Sequence, residues 1–373
     1  MTDGNPTPLH VELPPTSTNG DGPSEPGRTT PKDSKGWDGK LRIERHPVIT
    51  NPEALSDPEY SDEDAPPVEQ INADEDLLDD VEEDEEDINL VHFRISSIPA
   101  LRLERFKKIV RLCLRQNQIS VIDLPDTVSS TLQEIDLYDN LISHIKGLDN
   151  LHALTSLDLS FNKIKHIKRV NHLTKLKDLY FVQNKIGAIE GLDGLENLRM
   201  LELGANRIRV IENLETLTAL EELWLGKNKI TEIKGVDTLT NLKILSIQSN
   251  RLTAISGISA LTNLEELHIS HNALASLSGV EKNTNLRVID ISNNPIKSLA
   301  GLSPLSHLEE LWASYCQIHD FSEVEAELAD KDELETVYFE GNPLQLRQPA
   351  LYRNKVKLAL PRIKQIDATF VHL

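Results

Sequence analysis

From about residue 88 onward, apolar positions recur in one fixed order. The segment Leu132-Gln-Glu-Ile135-Asp-Leu137-Tyr-Asp-Asn140 shows a single unit. Ile135 and Leu137 stand two apart, so they point to one side of a short strand and into a core. Glu134, Asp136 and Tyr138 face the other way. Ile142, Ile145, Leu148 and Leu151 then follow at roughly helical spacing and fill a returning arc. Asn140 lies between strand and arc, where its amide can turn inward and serve backbone groups of neighbouring turns. Left unpaired, each such buried group would cost about 1–3 kcal/mol.

The same asparagine recurs at Asn117, Asn140, Asn162, Asn184, Asn206, Asn228, Asn250, Asn272 and Asn294, then Cys316 and Asn342. The steps are 23, then 22 eight times running, then 26. A unit this short buries little alone, so stacking is obligatory and both ends need covers. The pattern L-x-x-L-x-L-x-x-N-x-I predicts an α/β repeat fold. It is a leucine-rich-repeat solenoid of eleven mostly 22-residue repeats, with a parallel sheet on the concave face and caps at both ends. The expected organisation is a tail over 1–87, an N-terminal half-repeat over 88–108, repeats over 109–344 and a C-terminal cap over 345–373. Ile88, Leu90, Ile95 and Ile98 match Leu112, Leu114, Ile119 and Ile122, with Phe93 at the asparagine position. The 26-residue step predicts an inserted convex helix near Glu323 to Lys331. Pro349 to Leu360 reads as a short helix, after which Ile363, Ile366 and Phe370 are expected to lie over the last repeat.

Side chains on the outer side of the strands are free of any duty to the core. One column reads Cys113, Asp136, Asp158, Tyr180, Glu202, Trp224, Ser246, His268, Asp290, Trp312 and Tyr338. Two residues earlier, Asp178, Glu222, Glu266 and Glu310 place an acid beside Tyr180, Trp224, His268 and Trp312, a second period of 44 residues. Two of the three tryptophans stand here in a chain with 4% aromatics. Exposed rings cost solubility without helping the core. The column therefore predicts a protein-binding surface, with rings as anchors and carboxylates selecting a basic partner face. Eleven strands at roughly 4.8 Å spacing would give it a length of about 50 Å.

Charge is unevenly placed. The first 90 residues hold 25 acids against 6 bases and 12 of the 19 prolines, within a chain of net charge −21. Such a segment cannot bury enough apolar surface to offset its ordering entropy and is expected to be disordered. Asp57 to Asp87 holds 17 acids, which solvate the chain or draw a basic partner. Ser61, before Asp62-Glu63-Asp64, has the form of an acidophilic-kinase site. The acidic balance disfavours nucleic acid as a partner. Lys163, Lys165, Lys168 and Lys185 make a local basic patch that reads as solvated surface. No apolar run reaches membrane-spanning length, and no basic-then-apolar leader opens the chain. Cys113 and Cys316 sit far apart inside repeats, without disulfide-bonded caps, which points to the cytosol or nucleus. The twelve histidines lack metal-ligand spacing; His144 and His166 share a column through the repeat alone. No nucleophile elbow or phosphate-cradling loop is present. Catalytic residues, metal and cofactor are therefore all expected to be none, and the solenoid to be monomeric.

Several stretches depart from repeat consensus in a specific way. They are Leu112-Cys-Leu-Arg-Gln-Asn117, Leu201-Glu-Leu-Gly-Ala-Asn206-Arg-Ile, Leu225-Gly-Lys-Asn228-Lys-Ile-Thr, Gln248-Ser-Asn250-Arg-Leu-Thr and Glu335-Thr-Val-Tyr338. Tyr352-Arg-Asn-Lys-Val356, Leu358-Ala-Leu-Pro361 and Gln365-Ile-Asp-Ala-Thr-Phe-Val371 extend the likeness to the C-terminal cap. From about residue 88 the chain resembles the leucine-rich-repeat regulatory subunit of type 1 Ser/Thr protein phosphatase. The resemblance implies a non-enzymatic regulator whose concave face holds the phosphatase catalytic subunit, alone or with a third regulatory subunit. It implies control of phosphatase activity, maturation or localisation in mitosis, in nucleus and cytoplasm. It also implies no need of a basic-Val-x-Phe docking motif, and Leu90-Val91-His92-Phe93 lacks the base. By position, contacts fall on Asp158, Tyr180, Glu202, Trp224, Glu310, Trp312 and Tyr338. The exposed column adds Asp136, with Glu222, Glu266, His268 and Asp290 as secondary contacts. Ser314-Tyr315-Cys316 departs from the family pattern, with a cysteine at the asparagine position. The other class open to this sequence is a scaffold that binds a basic chromatin or cytoskeletal partner through its acidic tail.

Overall fold

The computed structural model describes residues 77–371; Ser61 and the acidic run up to residue 76 lie outside them. Each predicted strand position forms a three-residue strand because its central Ile, Leu or Val is driven into the core while its flanks stay outside. In chain order these are β1 (Asp87–Asn89), β2 (Arg111–Cys113), β3 (Glu134–Asp136), β4 (Ser156–Asp158), β5 (Asp178–Tyr180) and β6 (Met200–Glu202). They continue as β7 (Glu222–Trp224), β8 (Ile244–Ser246), β9 (Glu266–His268), β10 (Val288–Asp290), β11 (Glu310–Trp312) and β12 (Thr336–Tyr338). Neighbours pair in parallel and in register, so Leu201 faces Leu223 and Glu202 faces Trp224. Every central residue is buried, as are the arc residues Ile142, Ile145, Leu148 and Leu151.

The asparagine row works as the spacing implies. Asn228 Nδ2 donates to the carbonyls of Leu203, Leu225 and Gly226 at 2.9, 3.0 and 3.3 Å. Its Oδ1 accepts from the Ile208 N–H at 3.0 Å. One side chain thus ties its own turn to the preceding repeat, at both donor and acceptor. Cys316 keeps one weak contact, from Sγ to the Ile291 carbonyl at 3.3 Å. Some arcs turn through glycine of necessity. At Gly257 (φ +73°), an added Cβ would fall 2.3 Å from the Ile233 carbonyl oxygen.

The ends differ from expectation in three ways. The solenoid core already includes residues before 88: Leu78 is buried, and Leu77 and Val81 pack on the same core. The N–H groups of Val110 and Arg111 donate to the Glu86 carbonyl at 2.8 and 3.0 Å, so this acidic stretch already belongs to the sheet edge. Its few apolar residues were hidden among acids. Phe93 does not replace the inward asparagine; it is 48% exposed, and Asn117 Oδ1 accepts from the Phe93 and Ile95 N–H groups instead. At the far end, β13 (Gln365–Ile366) joins β12 in parallel and β14 (Thr369–Phe370) pairs with β13 antiparallel, so that with β1 the caps extend the eleven expected repeat strands, β2 to β12, to a sheet of fourteen. Ile363 and Ile366 are buried, but Phe370 is 67% exposed because the closing hairpin turns it outward.

Three helices serve this end: α1 (Phe321–Leu328), α2 (Pro343–Leu346) and α3 (Pro349–Ala359). α1 is the expected insertion and buries Val324 and Leu328. Its Glu323 accepts from the Leu299 N–H at 2.9 Å and its Glu327 from the Ser303 N–H at 3.0 Å, so two acids satisfy the backbone of the previous arc. Asp367 closes the row of turns. Its Oδ1 accepts from the Phe339 and Glu340 N–H groups at 2.9 and 3.0 Å, and its Oδ2 from the Tyr352 hydroxyl at 2.9 Å.

Candidate protein-binding face

In-register parallel pairing sets the outer column side by side, and the 44-residue period becomes a row of rings. Trp224 on β7 and His268 on β9 stack with centroids 6.3 Å apart and planes 16° from parallel. His268 meets Trp312 of β11 edge-on at 6.3 Å, and Trp312 meets Tyr338 of β12 edge-on at 5.8 Å. Rings two strands apart reach each other because the intervening residue is small or acidic. Ser246, between Trp224 and His268 in register, is completely buried and is the one column member that offers no surface.

Three of the four rings are held by the acid two residues before them. Trp224 Nε1 donates to Glu222 Oε2 at 3.1 Å and Trp312 Nε1 to Glu310 Oε2 at 2.8 Å. His268 Nε2 lies 3.1 Å from Glu266 Oε2. The hydroxyl of Tyr338 accepts from Gln365 Nε2 at 2.8 Å, which makes the C-terminal cap part of the face. That contact was not readable before the cap's strand was seen. Trp312 stays 36% exposed, while Trp224, His268 and Tyr338 are half-buried.

The other half of the column is acidic. Asp158 and Glu202 flank Tyr180 on adjacent strands, and burial raises the pKa of both carboxyls. Burial likewise raises Asp178, and burial beside these acids pushes the Tyr180 phenol up to about 12. Charged carboxylates here are under-solvated, a condition a cation relieves. Some column acids also serve the fold. Asp136, Asp158 and Asp290 accept from the N–H two residues on, at Tyr138, Ser160 and Ser292. Asp136 is further engaged by Arg115 at 3.0 Å, so it is the least available of the predicted acids. Arg115 lies 4.1 Å over the Tyr138 ring, itself 4.6 Å from Phe161, an aromatic–cation group that the two-residue strand pattern did not single out.

Family models agree with the geometry. Leucine Rich repeats (2 copies) match residues 196–239, 240–282, 262–305 and 284–326, and Leucine Rich repeat matches 150–165. Residues 77–371 form a leucine-rich-repeat solenoid. A Listeria monocytogenes internalin superposes with a TM-score of 0.62 at 25% identity, over 75% of this chain and 78% of that one. A leucine-rich-repeat protein of Leptospira interrogans gives 0.56 at 25% identity, over 70% and 73%.

Sequence relatives are more informative about use. Protein phosphatase 1 regulatory subunit SDS22 of Schizosaccharomyces pombe is 55% identical over 91 residues, 24% of this chain and 26% of that protein. Its Saccharomyces cerevisiae namesake is 48% identical over 105 residues, 28% and 31%. Human protein phosphatase 1 regulatory subunit 7 is 62% identical over 45 residues, 12% of each. The matched segments span less than a third of these relatives' lengths. The solenoid thus resembles leucine-rich-repeat regulatory subunits of protein phosphatase 1.

Proposed function

We propose that this chain is a non-catalytic regulatory subunit that holds the catalytic subunit of protein phosphatase 1 against the outer, concave face of its sheet. The observation that carries the reading is the hydrogen-bonded ring row of Trp224, His268, Trp312 and Tyr338 beside the under-solvated acids Asp158 and Glu202. Glu222 and Glu310 fix the indole orientations before any partner arrives, which lowers the ordering cost of association. The rings then supply buried area, and the acids select a basic surface. Control of activity, maturation or localisation in mitosis, in nucleus and cytoplasm, follows from which side of the enzyme the solenoid covers.

The test is the affinity of the full chain for the phosphatase catalytic subunit, compared with Trp224→Ala/Trp312→Ala. Each tryptophan is expected to contribute about 2 kcal/mol or more to binding, with the solenoid fold retained. Equal affinity of wild type and double variant would remove the strand face from the reading. The acidic tail would then be the part to examine.

A further inference from the structure

The two edges of the sheet carry opposite charge designs. Where the chain enters the strands, Arg199, Glu221, Lys243, Glu265, Arg287 and Glu309 alternate in sign from repeat to repeat. They pair along the edge: Lys243–Glu221 at 2.7 Å, Arg287–Glu309 at 2.8 Å, Arg287–Glu265 at 3.8 Å and Arg199–Glu221 at 3.9 Å. A shallow groove of about 700 Å³ runs along this self-neutralised ladder.

Where the chain leaves the strands, the residue after each inward asparagine is Lys163, Lys185, Arg207, Lys229 and Arg251 in five successive repeats. Their N–H groups donate to Ile142, Ile164, Ile186, Ile208 and Ile230, the same register each time, so the five sit one above another. Parallel neighbours are about 4.8 Å apart. Four are exposed and Lys229 is half-buried. Among the described residues none of the five has an ion-pair partner. Lys165 and Arg209, two residues further along their turns, widen the stripe. The fold does not require a base here, since Gln118, Leu141, Ala273, Pro295 and Gln317 hold the same position elsewhere. Stacked like charges repel, and the opposite edge shows that alternation was available.

We propose that this exit edge is a docking strip for an acidic polypeptide segment of a partner protein, read by charge rather than by sequence. A carboxylate-bearing chain laid along the strip would meet one cation per repeat. A nucleic-acid strand is the poorer occupant, because the adjoining strand face is acidic and the whole chain carries a charge of −21. The inference does not rest on which protein occupies the strand face.

Fluorescence anisotropy of a labelled oligoglutamate peptide with the full chain tests it. Binding that weakens with salt is expected. It should fall roughly tenfold or more in Lys185→Glu/Arg207→Glu/Lys229→Glu and persist in Lys243→Gln/Arg287→Gln on the other edge. Should the charge reversal disturb folding, the glutamine triple variant at the same positions replaces it, with the same expected direction. Absence of binding, equal loss in both edge variants, or tighter binding of a single-stranded oligonucleotide of equal charge would each overturn the proposal.

Discussion

The rings of Trp224 and His268 stack 6.3 Å apart although a whole strand lies between them, and Ser246 is buried in the register position between. Aromatic pairs of this kind contribute about 0.5–1.5 kcal/mol beyond the area they bury. The small hydroxyl of Ser246, hydrogen-bonded to Gln248, is what permits the approach.

Ser246→Leu should therefore part the two rings. The added volume is expected to cost about 1–3 kcal/mol in stability and to change the tryptophan fluorescence spectrum. Affinity for a partner seated on the ring row should fall although no anchor has been removed. An unchanged spectrum with unchanged affinity would show that the rings act separately.

Asp158→Asn separates folding from binding. Burial raises the carboxyl's pKa above its ordinary 3.8, so the folded protein holds that proton more tightly than the unfolded chain. Above the raised value the charged group is a full penalty on the fold; the penalty fades as pH falls towards 3.8. Asparagine can still accept from the Ser160 N–H. The variant should melt higher than wild type near neutral pH, with the difference vanishing in acid, while binding a basic partner more weakly.

The inward amide row can be tested by opposite substitutions. Asn228→Ala removes three donated bonds and one accepted bond, and is expected to cost about 2–4 kcal/mol. Cys316→Asn restores the amide where only a thiol contact stands, and should stabilise by about 1 kcal/mol. Urea unfolding of the two variants measures both.

Thiol chemistry should be quiet. Burial pushes the Cys316 thiol up to about 11, and burial also raises Cys113. Because the thiolate is the nucleophile, native protein at neutral pH should alkylate slowly at both positions. Mass spectrometry after iodoacetamide, with and without denaturant, reads this directly. Rapid native labelling of Cys316 would mean that repeat ten opens.

The column of acids and rings was legible because parallel in-register stacking converts a 22-residue step into a spatial neighbour. Its internal wiring was only half legible. Acid–ring hydrogen bonds two residues apart follow from strand geometry, since both side chains share a face. Engagement of Asp136 by Arg115 does not, because Arg115 lies one repeat earlier in an outer position that no core constraint marks.

What the chain's own residue order determined is the solenoid: strand positions, core, inward asparagines and the identity of the outward column. Those follow from local periodicity, since a residue next to an apolar strand centre must face outward whatever its neighbours do. Tertiary structure alone decided which outward side chains meet. The ring row depends on Ser246 being small between two large neighbours, the charge ladder on pairs 22 residues apart, and the closing hairpin on where β13 finds a free strand edge. Contacts across repeats are set by side-chain size and rotamer in three dimensions, and no one-dimensional period encodes them.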